Sequence, residues 1–337
     1  MPVSTRKHYP IQTMNRSHFA FTRHAPRAQG FSLVEMAMVL LVVGVLAALF
    51  LPATNTMMDN NRRKETRTKL EALESAITRF VMTTGRLPCP ADGTQGVSNA
   101  NSGLELRDPG PPATCTAMST GIVPWRTLGV PVDSATDAWG NLITYRVWAR
   151  TDTGNGSTIN TSLAMDGGMN MSLCDPAGTG PLSPGGVGCF KTTILPVPPA
   201  TETTYQYTSP SDWLNADGGR GFRACDAAPS CVLGSAAELA SKANRNGVAY
   251  FLISHGANKF GAYTPSGVFI DQANGSGPGL RENVNSNGQP LRTITPDGDF
   301  YVDADLEENA TNYYDDIVLR PTVMKVALDA SLGPRTP

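Results

Sequence analysis

Carboxylates are concentrated near the C-terminal end of this 337-residue chain. The segment 297–316 contains eight acidic residues and no Lys or Arg. Six of them are aspartates that could bind calcium, which takes six to eight oxygen ligands. These are Asp297, Asp299, Asp303, Asp305, Asp315 and Asp316. Their order does not fit an EF-hand loop, and a solvated acidic surface would give the same pattern without a metal.

Ser254 and His255 place a hydroxyl beside an imidazole. Adjacent residues of a strand point to opposite faces, so these two cannot form a nucleophile and base pair by themselves. His255 also precedes Gly256, which favours a turn. The chain has no Gly-x-Ser-x-Gly motif, no phosphate-binding Gly-rich loop ending in Lys and no His-Glu-x-x-His motif. We therefore predict that the protein is not an enzyme.

The cysteines are the third chemically distinctive set. They are Cys89, Cys115, Cys174, Cys189, Cys225 and Cys231. No pair has Cys-x-x-Cys spacing and three of the four His lie in residues 1–30, so a zinc site is not expected. In an oxidising compartment six cysteines favour disulfides, with fifteen alternative connectivities. The predicted pairs are neighbours, 89–115, 174–189 and 225–231, because each closes one local loop.

Charge is segregated along the chain. The formal net charge is -2, but residues 1–30 contain five basic and no acidic residues. The remainder contains 22 basic and 29 acidic residues, a charge of -7. This acidic excess argues against a nucleic-acid partner.

An uncharged run follows the basic segment. Sixteen residues from Met36 to Leu51 carry no charge, and counted from Phe31 the run has 21 residues. A helix of this length spans a hydrocarbon core of about 30 Å. The basic flank predicts residues 1–30 in the cytoplasm and the rest outside. We therefore expect a single-pass inner-membrane protein with its C-terminal domain in the periplasm, or in an extracellular or periplasmic filament.

Three interpretations of this run compete. A cleaved secretory signal needs a small-x-small site, but Leu51-Pro52-Ala53 places Leu at its first position. A plain signal anchor gives no reason for Glu35, because an acid near the bilayer centre costs about 2.5–3.5 kcal/mol. The third interpretation explains both features.

Gly30 followed by Phe31-Ser32-Leu33-Val34-Glu35 and an apolar helix resembles the class III signal of type IV pilins and type II secretion pseudopilins. In that family a prepilin peptidase cuts after the Gly and methylates the new terminal residue. The resemblance implies that residues 1–30 are a leader, that Phe31 becomes the N-methylated terminus and that Glu35 is the fifth mature residue. Translation could start at Met1 or at Met14, which changes only the leader length.

Glu35 is expected to serve assembly. A carboxylate in an apolar environment needs a partner, and the amino group of a neighbouring subunit's Phe31 is the nearest cation when subunits pack side by side. Pro52 falls at mature position 22, where helices of this family commonly have a proline.

The remaining sequence predicts the fold class. After the transmembrane and assembly helix of residues 31–52, an amphipathic continuation is expected over 53–85, where an apolar stripe recurs at helical spacing. The stripe consists of Leu70, Leu73, Ile77, Phe80 and Val81, and Gly85 is the predicted stop. Residues 86–337 predict a β-rich domain with a loop-rich insertion at about 151–234. With the resemblance, this implies an α+β, pilin-like fold: a long N-terminal α-helix, with a membrane half and an amphipathic half, packed on an antiparallel sheet.

Local patterns within residues 86–337 predict individual elements. Strands are expected over 142–148, 248–254, 268–270, 300–302, 317–319 and 323–328. A helix is expected over 235–245, where Ser235 and Glu238 form a capping box.

Three further segments resemble the major pseudopilins more weakly. Asp137-Ala138-Trp139-Gly140-Asn141 looks like their Asp-Pro-Trp-Gly-Asn stretch, the run 252–258 like a strand and Gly-rich turn, and Asp315-Asp316-Ile317 like their closing Asp-Ile. In those proteins the loop between the last two binds calcium. This chain has Asn258 where an Asp is common and a longer intervening segment.

The expected function is a minor pilin or pseudopilin, a structural subunit of a type IV pilus or a type II secretion pseudopilus. Its expected partners are other pilin subunits, the prepilin peptidase and methyltransferase, and the inner membrane. One alternative is a tip adhesin or substrate-binding module that uses the 151–234 insertion. The other is a membrane-anchored periplasmic enzyme. The sequence does not choose between pilus and secretion system.

Overall fold

A computed structural model describes residues 31–108, 114–116, 121–149, 151–152, 159–160, 162–165, 168–169, 214, 220–226, 238–240, 247–271, 285, 300–307 and 313–332. By its internal contacts the chain divides into two units, Met1–Asn55 and Thr56–Pro337. Predictions that fall on Gly30, Asp297, Asp299, the helix cap at Ser235 and most of the 151–234 insertion lie outside the described residues.

The N-terminal helix, α1, covers Leu33–Thr84. The N–H of Met36 donates to the carbonyl oxygen of Ser32 at 3.1 Å, which sets the first turn. The helix ends at Gly85, whose φ of 66° lies in the left-handed region that favours glycine. The N–H of Gly85 donates to the carbonyl oxygen of Val81 at 2.8 Å. The predicted stop at this residue is confirmed.

The later part of α1 packs one face into the core of the second unit. Leu70, Leu73, Ile77 and Val81 are at most 1% exposed, and Phe80 is half-buried. The intervening Glu71 and Ser75 face solvent. Each fully buried aliphatic side chain contributes about 1.5–3 kcal/mol relative to an exposed one. The predicted stripe is therefore buried at four of its five positions.

Twelve strands occur in the described residues, most of them short. They are β1 (Ala91–Asp92), β2 (Arg107–Asp108), β3 (Thr114–Cys115), β4 (Gly121–Ile122), β5 (Thr144–Val147), β6 (Thr151–Asp152), β7 (Ile159–Asn160), β8 (Arg223–Cys225), β9 (Glu238–Ala240), β10 (Tyr250–Ser254), β11 (Phe300–Val302) and β12 (Ile317–Leu319). Five of them form the central sheet, in the order β1-β4-β5-β10-β12.

All neighbours in the central sheet are antiparallel. In the register, Leu252 of β10 lies opposite Tyr145 of β5 on one side and Leu319 of β12 on the other. The two middle strands, β5 and β10, are buried along their whole length. β10 is apolar or aromatic at four of its five positions, whereas β5 buries Thr144 and Arg146 beside Tyr145 and Val147.

A smaller sheet has the order β11-β8-β9. β11 runs parallel to β8, with Tyr301 opposite Ala224, and β9 is antiparallel to β8. Phe222, just before β8, makes edge-to-face contacts with Trp148 and Tyr301 at centroid distances of 5.2 and 5.4 Å. These aromatic contacts join the smaller sheet to the main core. Two further antiparallel pairs, β2-β3 and β6-β7, complete the strand pairing.

The C-terminal helix, α2, covers Val323–Asp329. The Oγ1 of Thr322 caps it by accepting a hydrogen bond from the N–H of Lys325 at 3.2 Å. Val323, Val326 and Ala327 lie on its buried face, at helical spacing. The strand predicted over 323–328 is therefore wrong, because the cap and the spacing of three and four residues favour a helix.

Other local predictions had mixed outcomes. The strands predicted over 142–148, 248–254, 300–302 and 317–319 are confirmed as β5, β10, β11 and β12. The helix predicted over 235–245 is wrong at Glu238–Ala240, which pairs with β8 as β9. Residues 268–270 form only an isolated bridge, between Phe269 and Tyr263. In both segments pairing with a neighbouring strand or turn replaces the predicted local structure.

Two predictions about the N-terminal segment are wrong. In the part of the chain that the structure describes, no helix has the length and apolar character needed to cross a membrane. The single-pass inner-membrane localisation is corrected accordingly. The pilin-like fold class is corrected for the same reason, because no described helix has the apolar membrane half that it requires. The structure is a mixed α/β fold built on a five-stranded antiparallel sheet.

Candidate functional site

A cluster of buried polar side chains, here called the polar network, lies where the ends of β5, β10 and β12 meet. Its members are Asp137, Thr144, Ser254, His255, Asn285, Asp315 and Asp316. The antiparallel register places Ile253 opposite Thr144, and Ser254 opposite Ile317. The three segments that carried the weaker sequence resemblance therefore converge here.

Ser254 and His255 point to different partners, as expected for adjacent residues at the end of a strand. The hydroxyl of Ser254 donates to Oδ2 of Asp137 at 2.7 Å. The Nε2 of His255 lies 2.8 Å from Oγ1 of Thr144. No hydrogen bond between Ser254 and His255 occurs in the described structure, so His255 is not positioned as a base for this serine.

Asp137 organises the turn before β5. Its Oδ1 accepts hydrogen bonds from the N–H of Trp139 at 3.0 Å and of Asn141 at 2.9 Å. Burial raises the pKa of its carboxyl, while these hydrogen bonds, that of Ser254 and the nearby His255 act in the opposite direction. The carboxylate is thus held in the fold by three donors at a cost in desolvation.

His255 connects this strand end to the segment before β12. Its Nδ1 lies 3.6 Å from Oδ1 of Asp316, and both side chains are fully buried. The Oδ2 of Asp316 accepts a hydrogen bond from Nδ2 of Asn285 at 2.8 Å. Burial raises the pKa of Asp316, and the contacts with His255 and Asn285 partly offset this effect.

Asp315 closes the turn that follows β10. Its Oδ2 accepts hydrogen bonds from the N–H of Ala257 at 2.6 Å and of Asn258 at 3.1 Å. Gly256 has a φ of 58°, and a Cβ there would come within 2.6 Å of the Asp315 side chain. Glycine is therefore required at this position, both by its backbone conformation and by the close approach.

The polar network has the chemistry of a hydrogen-bonded core. Most of its donors and acceptors are used within the fold, and its side chains are at most 6% exposed. Nδ1 of His255 and Oδ1 of Asp316 face each other at 3.6 Å without forming a hydrogen bond. Such a network fixes the relative positions of three segments. The geometry gives no accessible nucleophile at Ser254, and the turn function expected for His255 and Gly256 agrees with the contacts.

The predicted calcium ligands do not converge in the described structure. Asp303 pairs with Nε of Arg320 at 2.5 Å, Asp305 is exposed, and Asp315 and Asp316 accept protein donors. No group of three or more His, Cys, Asp or Glu side chains that could hold a metal occurs among the residues described. Asp297 and Asp299 lie outside the described residues, so the calcium site stays a prediction.

Of the predicted disulfides, the pair Cys89–Cys115 is confirmed. Cys115 ends β3, and Cys89 lies just before β1, where its N–H donates to Oε2 of Glu105 at 2.9 Å. Cys225 on β8 is also disulfide-bonded. The cysteines at 174, 189 and 231 lie outside the described residues, so the other two pairings stay predictions.

The predicted processing and assembly residues lie at the start of α1. Phe31 is 77% exposed and Glu35 is exposed. Every described side chain from Phe31 to Leu46 is exposed. The large apolar ones are Leu33, Val34, Met36, Met38, Val39, Leu40, Leu41, Val42, Val43, Val45 and Leu46. This stretch, here called the apolar start of α1, is apolar around its circumference apart from Ser32 and Glu35.

Sequence reasoning missed two parts of the molecule. Asn285 bridges Asp316 and β11, since its Oδ1 accepts from the N–H of Val302 at 2.9 Å, but its surrounding sequence carries no pattern that signals burial. The second is a cleft between α1 and β12, lined in part by Arg67 and Glu71. The sequence shows that these two residues are four positions apart on a helix, but it does not show that both line a cleft.

Comparison with known proteins adds no relative. No protein-family model, curated protein or solved structure matches the chain. Function must therefore be argued from the residues and their geometry.

Proposed function

We propose that the protein is a structural subunit of a type IV pilus or type II secretion pseudopilus. In this proposal the chain is cleaved after Gly30, and subunits assemble through the apolar start of α1. The observation that carries it is the combination of the prepilin-type motif with a helix whose side chains are exposed directly after that motif.

The exposed apolar surface supports assembly. Leu33 is 86% exposed, and Met38, Leu40 and Leu41 are each 66–67% exposed. Removing apolar surface from water contributes about 25 cal/mol per Å², so such a surface favours association with another apolar surface. The same helix in a second copy of the chain has an apolar surface of equal length.

Glu35 can determine the stagger between neighbouring subunits. It is the only charged residue from Phe31 to Leu51, and an amino group at Phe31 created by cleavage would be a cation four residues away along a parallel neighbour. Burial of the helices would leave Glu35 uncompensated without such a partner. Pairing with the neighbour's terminus therefore favours one stagger between subunits.

Processing can be tested by co-expressing the full chain with a prepilin peptidase and determining the N-terminal peptide by mass spectrometry. We expect a terminus at Phe31 carrying an N-methyl group, and an uncleaved chain for Gly30→Leu. Gly44→Leu is the matched control, because a Cβ at Gly44 meets nothing within 4 Å. A wild-type terminus elsewhere, or unchanged cleavage of Gly30→Leu, would contradict the proposal.

Assembly can be tested separately with a photo-crosslinking amino acid. Leu41 and Leu328 are both 67% exposed, the first on the apolar start of α1 and the second on α2. We expect a ladder of crosslinked multimers from position 41 and none from position 328. Equal crosslinking from both positions would mean that the helix is not the assembly surface.

The register of assembly is tested with Glu35→Ala, which should abolish the ladder from position 41. Asp59→Ala is its control, since Asp59 is also an exposed acid of α1 and lies 3.6 Å from Arg62. If Glu35→Ala assembled as well as Asp59→Ala, the Glu35 and Phe31 pair would have no part in assembly.

A further inference from the structure

A cleft of about 290 Å³ lies in the second unit, between α1 and the edge of the central sheet. One wall is β12, with Ile317, Val318 and Leu319, and the opposite wall is α1, with Arg67, Leu70 and Glu71. Asp303, Ala304 and Asp316 complete the lining. This volume is just below the ~300–1,000 Å³ of ligand pockets, and one wall of the cleft is a strand.

β12 is an edge strand. It is the last strand in the order of the central sheet, and β10 is the only strand paired with it in the described part of the chain. An edge strand offers a row of N–H and C=O groups, and proteins usually protect such an edge with charge, proline or a covering element. Arg320 and Pro321 follow the strand directly, but Ile317-Val318-Leu319 itself has no charge and no proline, so these three residues are suited to pairing with another strand.

Arg67 and Glu71 form a charged pair of positions on the opposite wall. Both side chains are exposed, and neither has an ion-pair partner among the described residues. In contrast, nearby Lys69 pairs with Glu65 and Asp133, and Glu74 pairs with Lys325. The neighbouring charges of α1 are therefore paired within the fold, whereas Arg67 and Glu71 line the cleft.

The spacing of this pair matches an extended peptide. Residues four apart on a helix are separated by about 6 Å along its axis. Residues two apart on a strand lie on the same face and are separated by about 6.8 Å. A strand added to β12 would therefore present alternate side chains to Arg67 and Glu71 together.

From this geometry we propose that the cleft binds an extended segment of another polypeptide, which pairs with β12 through its main chain. The segment carries one acidic and one basic residue two positions apart, opposite Arg67 and Glu71 respectively. The intervening residue points away from α1. Main-chain pairing provides affinity, and the two charges set the direction in which the segment enters.

A display library of random seven-residue peptides, selected against the full chain, tests this inference. We expect enrichment of β-branched residues with an acidic and a basic residue two positions apart in one fixed order. Recovery of peptides without this charge pair, or no enrichment at all, would overturn the proposal.

Charge exchange gives the sharper test. In the double variant with Arg67→Glu and Glu71→Arg, the order of the acidic and basic residues in the selected peptides should invert. In a matched exchange on the same helix, Asp59→Arg with Arg62→Asp, the order should stay as in the parent chain, because neither residue lines the cleft. An order that fails to invert in the first variant, or that inverts in the second, contradicts a peptide lying against Arg67 and Glu71.

Main-chain pairing is tested with N-methylated versions of one selected peptide. An added strand pairs through one of its edges, so methylation at one set of alternate residues should weaken binding at least tenfold. Methylation at the other set should change binding less than threefold. Equal effects of both sets would show that the peptide does not pair with β12.

Discussion

Two stretches of the same helix contain large apolar side chains but bury them differently. From Phe31 to Leu46 all described side chains of α1 are exposed, whereas Leu70, Leu73, Ile77 and Val81 are buried in the chain's own core. The first stretch is apolar around its circumference, and the second only on one face, with polar residues between. A helix apolar on one face can be satisfied by one sheet, but a helix apolar all round needs partners on several sides.

The largest effect expected from this comparison is on stability. Leu73→Ala removes a fully buried side chain from the core, so the free energy of unfolding should fall by about 2–5 kcal/mol. Leu41→Ala, at an exposed position of the same helix, should change it by less than about 0.5 kcal/mol. Urea unfolding with a constant m-value measures both. Similar losses in the two variants would mean that the apolar start of α1 also packs on its own chain.

The second prediction concerns the polar network that lies beside the buried stretch. Asp137→Ala leaves the hydroxyl of Ser254 and the N–H groups of Trp139 and Asn141 without their acceptor, so it should cost about 3 kcal/mol. Asp133→Ala is the control. The Asp133 side chain is 83% exposed, and its ion pair is with Lys69 at 3.5 Å. Exposed pairs of this kind contribute about 0–1 kcal/mol. Equal small losses would show that the network does not stabilise the fold.

The same residue makes stability depend on pH in a definite direction. The pKa of Asp137 is raised by burial in the folded protein, so its neutral form is favoured there. Its contribution to stability is fully present below its unfolded pKa and is lost as pH rises through the folded pKa. Asp137→Asn keeps an oxygen acceptor without the charge. Its stability relative to the parent chain should therefore increase as pH rises above about 4, the pKa of an unperturbed Asp, as measured by urea unfolding at each pH. A relative stability that decreases would contradict the desolvation argument.

The features of the fold that the sequence predicts correctly are those determined by residues close together in the chain. The stripe at Leu70, Leu73, Ile77 and Val81 and the strands β5 and β10 follow from periodicity and apolar composition. The Cys89–Cys115 pair follows from loop closure. These signals are local, because each residue's environment is determined by the spacing of its near neighbours.

The failures involve contacts that are distant in the sequence. Glu238–Ala240 has a capping box in front of it, but pairing with β8 makes it a strand. The carboxylates of segment 297–316 looked like one cluster, yet Asp303 pairs with Arg320 while Asp316 is buried beside His255 and Asn285. Tertiary contacts thus gave these carboxylates different protein partners, which the sequence did not show. The uncharged run also predicted a membrane-spanning helix, and none occurs in the described part of the chain.

The smallest predicted effect concerns α2, which lies against the buried stretch of α1. Nζ of Lys325 is 2.5 Å from Oε1 of Glu74, and Val323 and Val326 belong to the same core as Leu73. Thr322→Ala removes the N-cap of α2 and should lower the free energy of unfolding by about 1 kcal/mol. Thr68→Ala, at an exposed mid-helix position where the hydroxyl bonds only to the carbonyl of Lys64, should have no destabilising effect because Ala is the better helix former.

The crosslinking ladder from position 41 should be the same in Thr322→Ala as in the parent chain. This expectation follows because α2 covers the buried stretch, whereas assembly is proposed to use the exposed one. A cap variant that destabilised the fold by about 1 kcal/mol and also removed the ladder would mean that the two stretches of α1 are energetically coupled. An unchanged ladder would support one helix with two separable tasks: holding the sheet through one face, and meeting other subunits through its apolar start.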